Sequence, residues 1–142
     1  MKNILISVLL SLSLFGANID EYAKSEGFER DYKTALTKAK NANKPLMMVL
    51  GADYCPWCRK FERKTLSSKD VKSFLNKELI TLVVDKKFDI ESFPAKFQTN
   101  VTPRVFFINP KTEEDFFQTA GYIKKKDYLK KLDEMKKLYK GE

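Results

Sequence analysis

Residues 45–61 read Pro-Leu-Met-Met-Val-Leu-Gly-Ala-Asp-Tyr-Cys-Pro-Trp-Cys-Arg-Lys-Phe. Leu46 to Leu50 is an unbroken apolar run of strand length. A run that is apolar at every position predicts a strand covered on both faces. Gly51 and Ala52 make a small turn. Pro56 suits the first turn of a helix, where its missing N–H costs nothing. Trp57, Phe61 and Leu66 supply apolar positions for a helix from about Cys55 to Leu66. Cys55 and Cys58 thus stand where a strand hands over to a helix, two residues between them.

These are the only two cysteines among 142 residues. A bridge between them closes so short a loop that it adds little by loop entropy. With 43% hydrophobic and 13% aromatic residues, the chain can build a core without a staple. The pair is therefore read as functional. The chain has no histidine. That removes Cys-His nucleophilic pairs, Ser-His-Asp triads and the commonest metal ligand. Met47 and Met48 are read as core, and no metal site or cofactor is expected.

The net charge is +8, from 27 Lys and Arg against 19 Asp and Glu. Eight lysines and four acidic residues fall in the last nineteen positions. Lys130, Lys131, Lys136 and Lys137 lie between apolar positions, as the solvated face of an amphipathic helix requires. No nucleic-acid motif accompanies them, so the charge is read as a helix face and no nucleic-acid partner is expected.

The chain opens on Lys2 and an apolar stretch from Ile4 to Phe15, with small residues at Gly16 and Ala17. About twelve apolar residues match a secretory h-region and fall short of the ~20 of a membrane helix. Residues 1–17 are read as a signal peptide. Cleavage after Ala17 fits, although Phe15 departs from the small residue that A-x-A places there. Export implies a periplasmic location for residues 18–142, where disulfides form and persist.

After a polar lead-in over 18–27, the spacing of Phe28, Tyr32, Ala35, Leu36 and Ala39 predicts a helix to about Asn41, closed by Asn43 and Pro45. Beyond the cysteine helix, Ser67 or Ser68 with Asp70 reads as the cap of a helix holding Val71, Phe74 and Leu75. Leu79 to Val84 is a second buried strand ending at Asp85. Residues 89–98 make a turn and a short helix broken by Pro94. Arg104–Ile108 and Phe116–Thr119 form a hairpin across the turn at Asn109-Pro110-Lys111-Thr112. A last helix runs from about Lys126 to Leu138, with an apolar stripe of Tyr128, Leu132, Met135 and Tyr139, widened by Leu129 and Leu138. The order α-β-α-α-β-α-β-β-α predicts an α/β domain with a mixed sheet of about four strands and helices on both faces. No repeat or second domain is visible.

Cys55-Pro56-Trp57-Cys58 between a buried strand and a helix resembles the active site of the thioredoxin family. Val101-Thr102-Pro103, just before a strand, strengthens the likeness, as do the late hairpin, Gly121 and the closing helix. The resemblance spans about residues 28–140 and is greatest to small periplasmic thioredoxin-related proteins of bacteria, which share the lead-in helix and Asn43-Lys44-Pro45. It implies a thioredoxin-like fold, a redox-active disulfide at Cys55 and Cys58, and a cis-proline at Pro103 facing them. One position departs from it. The buried acid that such proteins carry six residues before the first cysteine is Val49 here, so no proton carrier for Cys58 is assigned.

The chemistry expected is thiol–disulfide exchange. A thiolate is its nucleophile, and Cys55 at a helix start, with Arg59 and Lys60 in the next turn, is placed to ionise. Cys58 would resolve the mixed disulfide. Thr102 and Pro103 would offer backbone to an extended substrate, and Tyr54 and Trp57 would flank it as an apolar platform. The expected partners are proteins with thiols or disulfides and a membrane electron donor or acceptor. A monomer is expected, since no dimerisation segment is visible. A reductant is the leading reading. A disulfide oxidase or isomerase, a glutaredoxin-like enzyme, and a copper-binding or chaperone module remain alternatives.

Overall fold

The computed structural model describes residues 18–141. The segment read as a signal peptide lies outside them. Helix α1 (Ile19–Glu26) is capped by Asn18, whose side chain accepts the Asp20 N–H at 3.0 Å, and ends at Gly27 with φ 72°. Helix α2 (Tyr32–Ala42) is capped by Asp31, which accepts the Thr34 N–H, and ends at Asn43 in the left-handed region. Such positive φ angles suit glycine and asparagine. Strand β1 (Leu46–Gly51) leads to α3 (Pro56–Phe61), which runs on through a π-helical turn at Glu62–Leu66. Helix α4 (Lys69–Glu78), strand β2 (Ile80–Asp85) and a 3₁₀ turn at Ala95–Phe97 follow. Strands β3 (Arg104–Ile108) and β4 (Asp115–Ala120) and helix α5 (Lys125–Lys140) complete the chain.

The sheet order is β2-β1-β3-β4, with β1 parallel to β2 and the other two pairings antiparallel. The register pairs Gly51 with Asp85 and Leu50 with Arg104. The carboxyl ends of β1 and β2 and the start of β3 therefore meet at one end of the sheet. Alternate residues of β1 serve opposite faces. Met47 and Val49 pack with Phe61, Val71, Leu75, Tyr128, Leu132 and Met135. Leu46, Met48 and Leu50 pack with Tyr32, Ala35, Leu36, Phe93 and Phe97. All six residues of β1 are buried, as a strand covered on both sides requires.

Several expectations need correction. The polar lead-in is itself helical, because its caps stand at Asn18 and Gly27 and Ile19, Tyr22 and Ala23 fall on one face against the core. Phe28 lies outside any helix. It belongs to a segment that lengthens the sheet edge, where Glu29 bridges to Leu82, and α2 starts four residues later than the periodicity implied. The cysteine helix is not α-helical to Leu66. It widens into a π turn that buries Thr65 and Leu66 together. Ser68 occupies the cap position of α4, but its hydroxyl donates to Thr65 O at 2.6 Å and accepts no cap bond from α4. In α5 the stripe holds at Tyr128, Leu132 and Met135. Tyr139 stacks instead on Phe116, with centroids 5.4 Å apart, and Leu138 is exposed.

Candidate active site

Cys55 is the N-cap of α3, held by its own N–H donating to Ala52 O at 3.3 Å. It is bonded to Cys58, with Cα atoms 5.2 Å apart. The helical backbone turns the Cys58 N–H towards the Cys55 sulfur, which accepts it at 3.2 Å. Cys58 lies one turn into the helix, only 1% exposed, whereas Cys55 is half-buried. One sulfur can meet a macromolecular substrate and the other cannot. An N–H aimed at the outer sulfur favours its anion.

The segment before β3 approaches from the far side. Thr102–Pro103 is a cis peptide. The Thr102 carbonyl oxygen lies 3.7 Å from Cys55 Sγ, and the Thr102 hydroxyl donates to that sulfur at 3.5 Å. Gly121 fixes the segment from behind. Its φ of 75° aims its N–H at Pro103 O, 2.8 Å away. Trp57 is 57% exposed and stacks on Tyr122 at 6.0 Å between centroids, with the Lys60 ammonium over both rings at 5.2 and 4.7 Å. Trp57, Thr102, Gly121 and Tyr122 line an open groove of about 380 Å³ beside Cys55. Tyr54 is 79% exposed on the loop that precedes α3. The structure thus brings Cys55, Cys58, Trp57, Thr102 and Pro103 together and leaves Tyr54 standing in solvent on the same loop.

Behind the disulfide, Arg59, read from the sequence as a positive charge near Cys55, has a partner that the sequence reading missed, Glu62. Arg59 donates from Nη2 to Ala52 O at 3.2 Å and pairs through Nη1 with Glu62 at 3.1 Å. Glu62 has a side chain only 13% exposed. Burial pushes its carboxyl from 4.5 up to about 7, against the opposing pull of Arg59. Tyr22 of α1 faces the same charges. Burial first, then the charges of Glu62 and Glu26, hold its phenol well above the ordinary range. Val49 is buried and apolar, so the titratable carboxyl of this site is on the helix and not on β1. The signal for Glu62 was its place four residues after Cys58, on the side of the helix that Cys58 and Phe61 share with the core.

The comparisons with known proteins agree with this geometry. Spermatogenesis-associated protein 20 of Rattus norvegicus is 30% identical over 53 residues, 37% of this chain and 7% of that protein. The chain thus spans under a tenth of the curated relatives it matches. A thioredoxin from Thermus thermophilus superposes with a TM-score of 0.67 at 21% identity, covering 76% of this chain and 85% of the other. The structure described as DsbH oxidoreductase gives 0.63 at 21% identity, covering 75% and 81%. These two likenesses establish the fold. The sequence model described as a thioredoxin-like domain matches residues 32–136, about three-quarters of the chain. Carrying the Cys55–Cys58 disulfide at the start of α3, the chain belongs to the thioredoxin-like domain family.

Proposed function

We propose that the chain works outside the cytoplasm, reducing disulfides of protein substrates with electron pairs drawn from a membrane-bound dithiol donor. The observation that carries the exchange chemistry is the Cys55–Cys58 disulfide with one sulfur accessible, one buried, and Thr102 against the accessible one. In the reducing direction the Cys55 thiolate attacks a substrate disulfide. That S–S bond breaks, the departing substrate thiolate takes a proton from solvent, and a Cys55–substrate disulfide remains. The Cys58 thiol gives up its proton and attacks the Cys55 sulfur. The second substrate thiolate leaves and is protonated, and the Cys55–Cys58 disulfide forms. Two electrons and two protons reach the substrate, and the donor dithiol must restore the pair.

The reducing direction is supported by Glu62. When ionised, the Glu62 carboxylate one turn beyond Cys58 opposes thiolate formation at the pair, and a reduced form with a less stable thiolate is the better electron donor. Residues 1–17, with Lys2 ahead of the apolar run, support export. The oxidising direction is favoured by a different feature, the Cys58 N–H and Thr102 hydroxyl aimed at Cys55 Sγ, which stabilise its thiolate.

Replacing Cys58 with Ala and trapping mixed disulfides in cells tests the proposal. The expected capture is a set of exported proteins joined through Cys55 and released by reductant. The state of the wild-type pair after rapid acid quench gives direction, a dithiol for the reductant and a disulfide for the oxidase. No trapped species, or capture only of cytoplasmic proteins, would overturn the reading.

A further inference from the structure

Of the six exposed large apolar side chains among the described residues, four lie on the three loops at one end of the sheet and a fifth, Trp57, in the first turn of α3 beside them. Tyr54 and Trp57 follow β1, Phe88 and Ile90 follow β2, and Val101 precedes β3. The register that pairs Gly51 with Asp85 and Leu50 with Arg104 makes these loops neighbours. The Lys86 N–H donates to Gly51 O at 2.9 Å, tying the second loop to the strand that feeds Cys55.

The loop after β2 is built, not slack. The Asp85 carboxylate accepts the N–H groups of Lys87 and Phe88 at 2.8 and 2.9 Å. The Asp89 carboxylate accepts the Asp85 N–H and binds Arg30. Gln98 donates to Ile90 O, and Lys86 Nζ reaches Asn100 O, both at 3.5 Å. The result is an open groove of about 470 Å³ between Lys86, Lys87, Ile90, Gln98, Thr99 and Asn100.

Its charge is one-sided. Asp85 and Asp89 are spent on the loop's own frame. Among the described residues Lys86 and Lys87 meet no carboxylate, and the Lys87 ammonium rests 5.6 Å over the Phe88 ring, which is 69% exposed. Glu91 is the exposed acidic residue of this loop, and Asp53 that of the loop after β1. Asn100, on the groove, is two residues from Thr102, which touches Cys55, a step of roughly 7 Å in extended chain. Thr102 itself lines the Trp57–Tyr122 groove, which has Lys60 over its rings. A polypeptide whose cysteine reaches Cys55 and which extends past Thr102 towards Asn100 would meet Lys86 and Lys87.

We propose that this groove docks an acidic and apolar flank of the substrate polypeptide, so that the protein selects cysteines set among carboxylates. The proposal rests on the oxidoreductase reading for the identity of the occupant. It is tested first without electron transfer. Two synthetic nine-residue peptides carry Ser in place of the central Cys, one with Asp, Glu and Phe on the flanks, the other with Asn, Gln and Phe. Binding to the oxidised chain is followed by fluorescence anisotropy and amide chemical shifts. Two exposed charge contacts predict roughly fivefold tighter binding of the acidic peptide. The preference should vanish at ~0.5 M salt and in Lys86→Gln/Lys87→Gln, with shifts centred on residues 86–101. Equal affinity for both peptides overturns the proposal, as does a preference that survives the double substitution or shifts centred on α5. Reduction of bis(2-hydroxyethyl) disulfide by the dithiol form is measured alongside. Wild type and variant should match within twofold. If neither reduces it, the oxidoreductase reading fails, while the anisotropy result still decides whether the groove takes acidic chain.

Discussion

The carbonyl oxygen of Thr102 stands 3.7 Å from Cys55 Sγ, although 47 residues separate them in sequence. The contact exists because β1 and β3 are antiparallel neighbours, so the exit of one strand and the entrance of the other share an edge. The thiol chemistry of Cys55 is therefore governed by two elements that fold together only when the sheet is complete. The Thr102 hydroxyl, 3.5 Å from the same sulfur, is the part of that contact a substitution can remove cleanly.

Thr102→Val keeps the shape and deletes the donor. A hydrogen bond to a thiolate at this length contributes on the order of 1 kcal/mol, and the Cys55 pKa should rise by somewhat under one pH unit. The rate of alkylation of reduced protein by iodoacetamide, followed against pH, reads it. An unmoved midpoint would show that the Thr102 hydroxyl does not reach the thiolate.

Glu62→Gln should change how stability depends on pH. The folded carboxyl titrates at about 7, above its ordinary 4.5, so the native state holds its proton more tightly than the unfolded chain. Stability at Glu62 is then greatest below pH 4.5, falls as pH rises towards 7, and levels off above it. At 1.36 kcal/mol per pH unit the full difference is about 3 kcal/mol. Wild type and Glu62→Gln should melt alike near pH 4.5, and the variant should be the more stable at pH 8. Parallel melting curves across that range would mean that Glu62 binds its proton equally well in the native and unfolded chain.

Thr65→Val tests the joint between the cysteine helix and the loop that carries Tyr122. The Thr65 hydroxyl is fully buried and donates to Ile123 O at 2.6 Å. Valine fits the space and leaves that carbonyl unpaired, at a cost of about 1–3 kcal/mol. Urea unfolding of the oxidised protein measures it. A change below ~0.5 kcal/mol would show that Ile123 O finds another donor.

The strands were legible because each is continuously apolar or lies beside a turn signal, and Arg104–Ile108 falls where the β-branched and aromatic run predicts it. The redox pair was legible because two cysteines spaced two residues apart at a strand-to-helix junction, in a chain without histidine, have few other uses. Helix α1 was not, since its apolar period is only Ile19, Tyr22 and Ala23 among five polar residues. Phe28 misled for the opposite reason. It is buried by the edge segment at Glu29, and its spacing to Tyr32 mimics a helical turn. The Glu62–Arg59 pair was invisible because an Arg and a Glu three apart look like an ordinary surface pair until the π turn and α1 cover them.

That pair supports the last prediction. Arg59 supplies the positive charge beside Glu62, and its Nε is itself buried without a partner, so the guanidinium is held by Ala52 O and Glu62 alone. Arg59→Met should strand the carboxylate in a poorly solvated site. Full burial would make that loss about 3–5 kcal/mol. The partial exposure of Arg59 brings it to about 1–3 kcal/mol at pH 8, and it should shrink at pH 5, where Glu62 is protonated. Adding Glu62→Leu should restore most of what Arg59→Met lost, since no charge is then left behind. The double-mutant cycle, read by urea unfolding at both pH values, should therefore give a coupling energy of 1 kcal/mol or more at pH 8 and close to zero at pH 5. Additive effects at pH 8 would mean that the Glu62 carboxyl is solvated well enough to do without Arg59, and that its rise to about 7 has no structural counterpart.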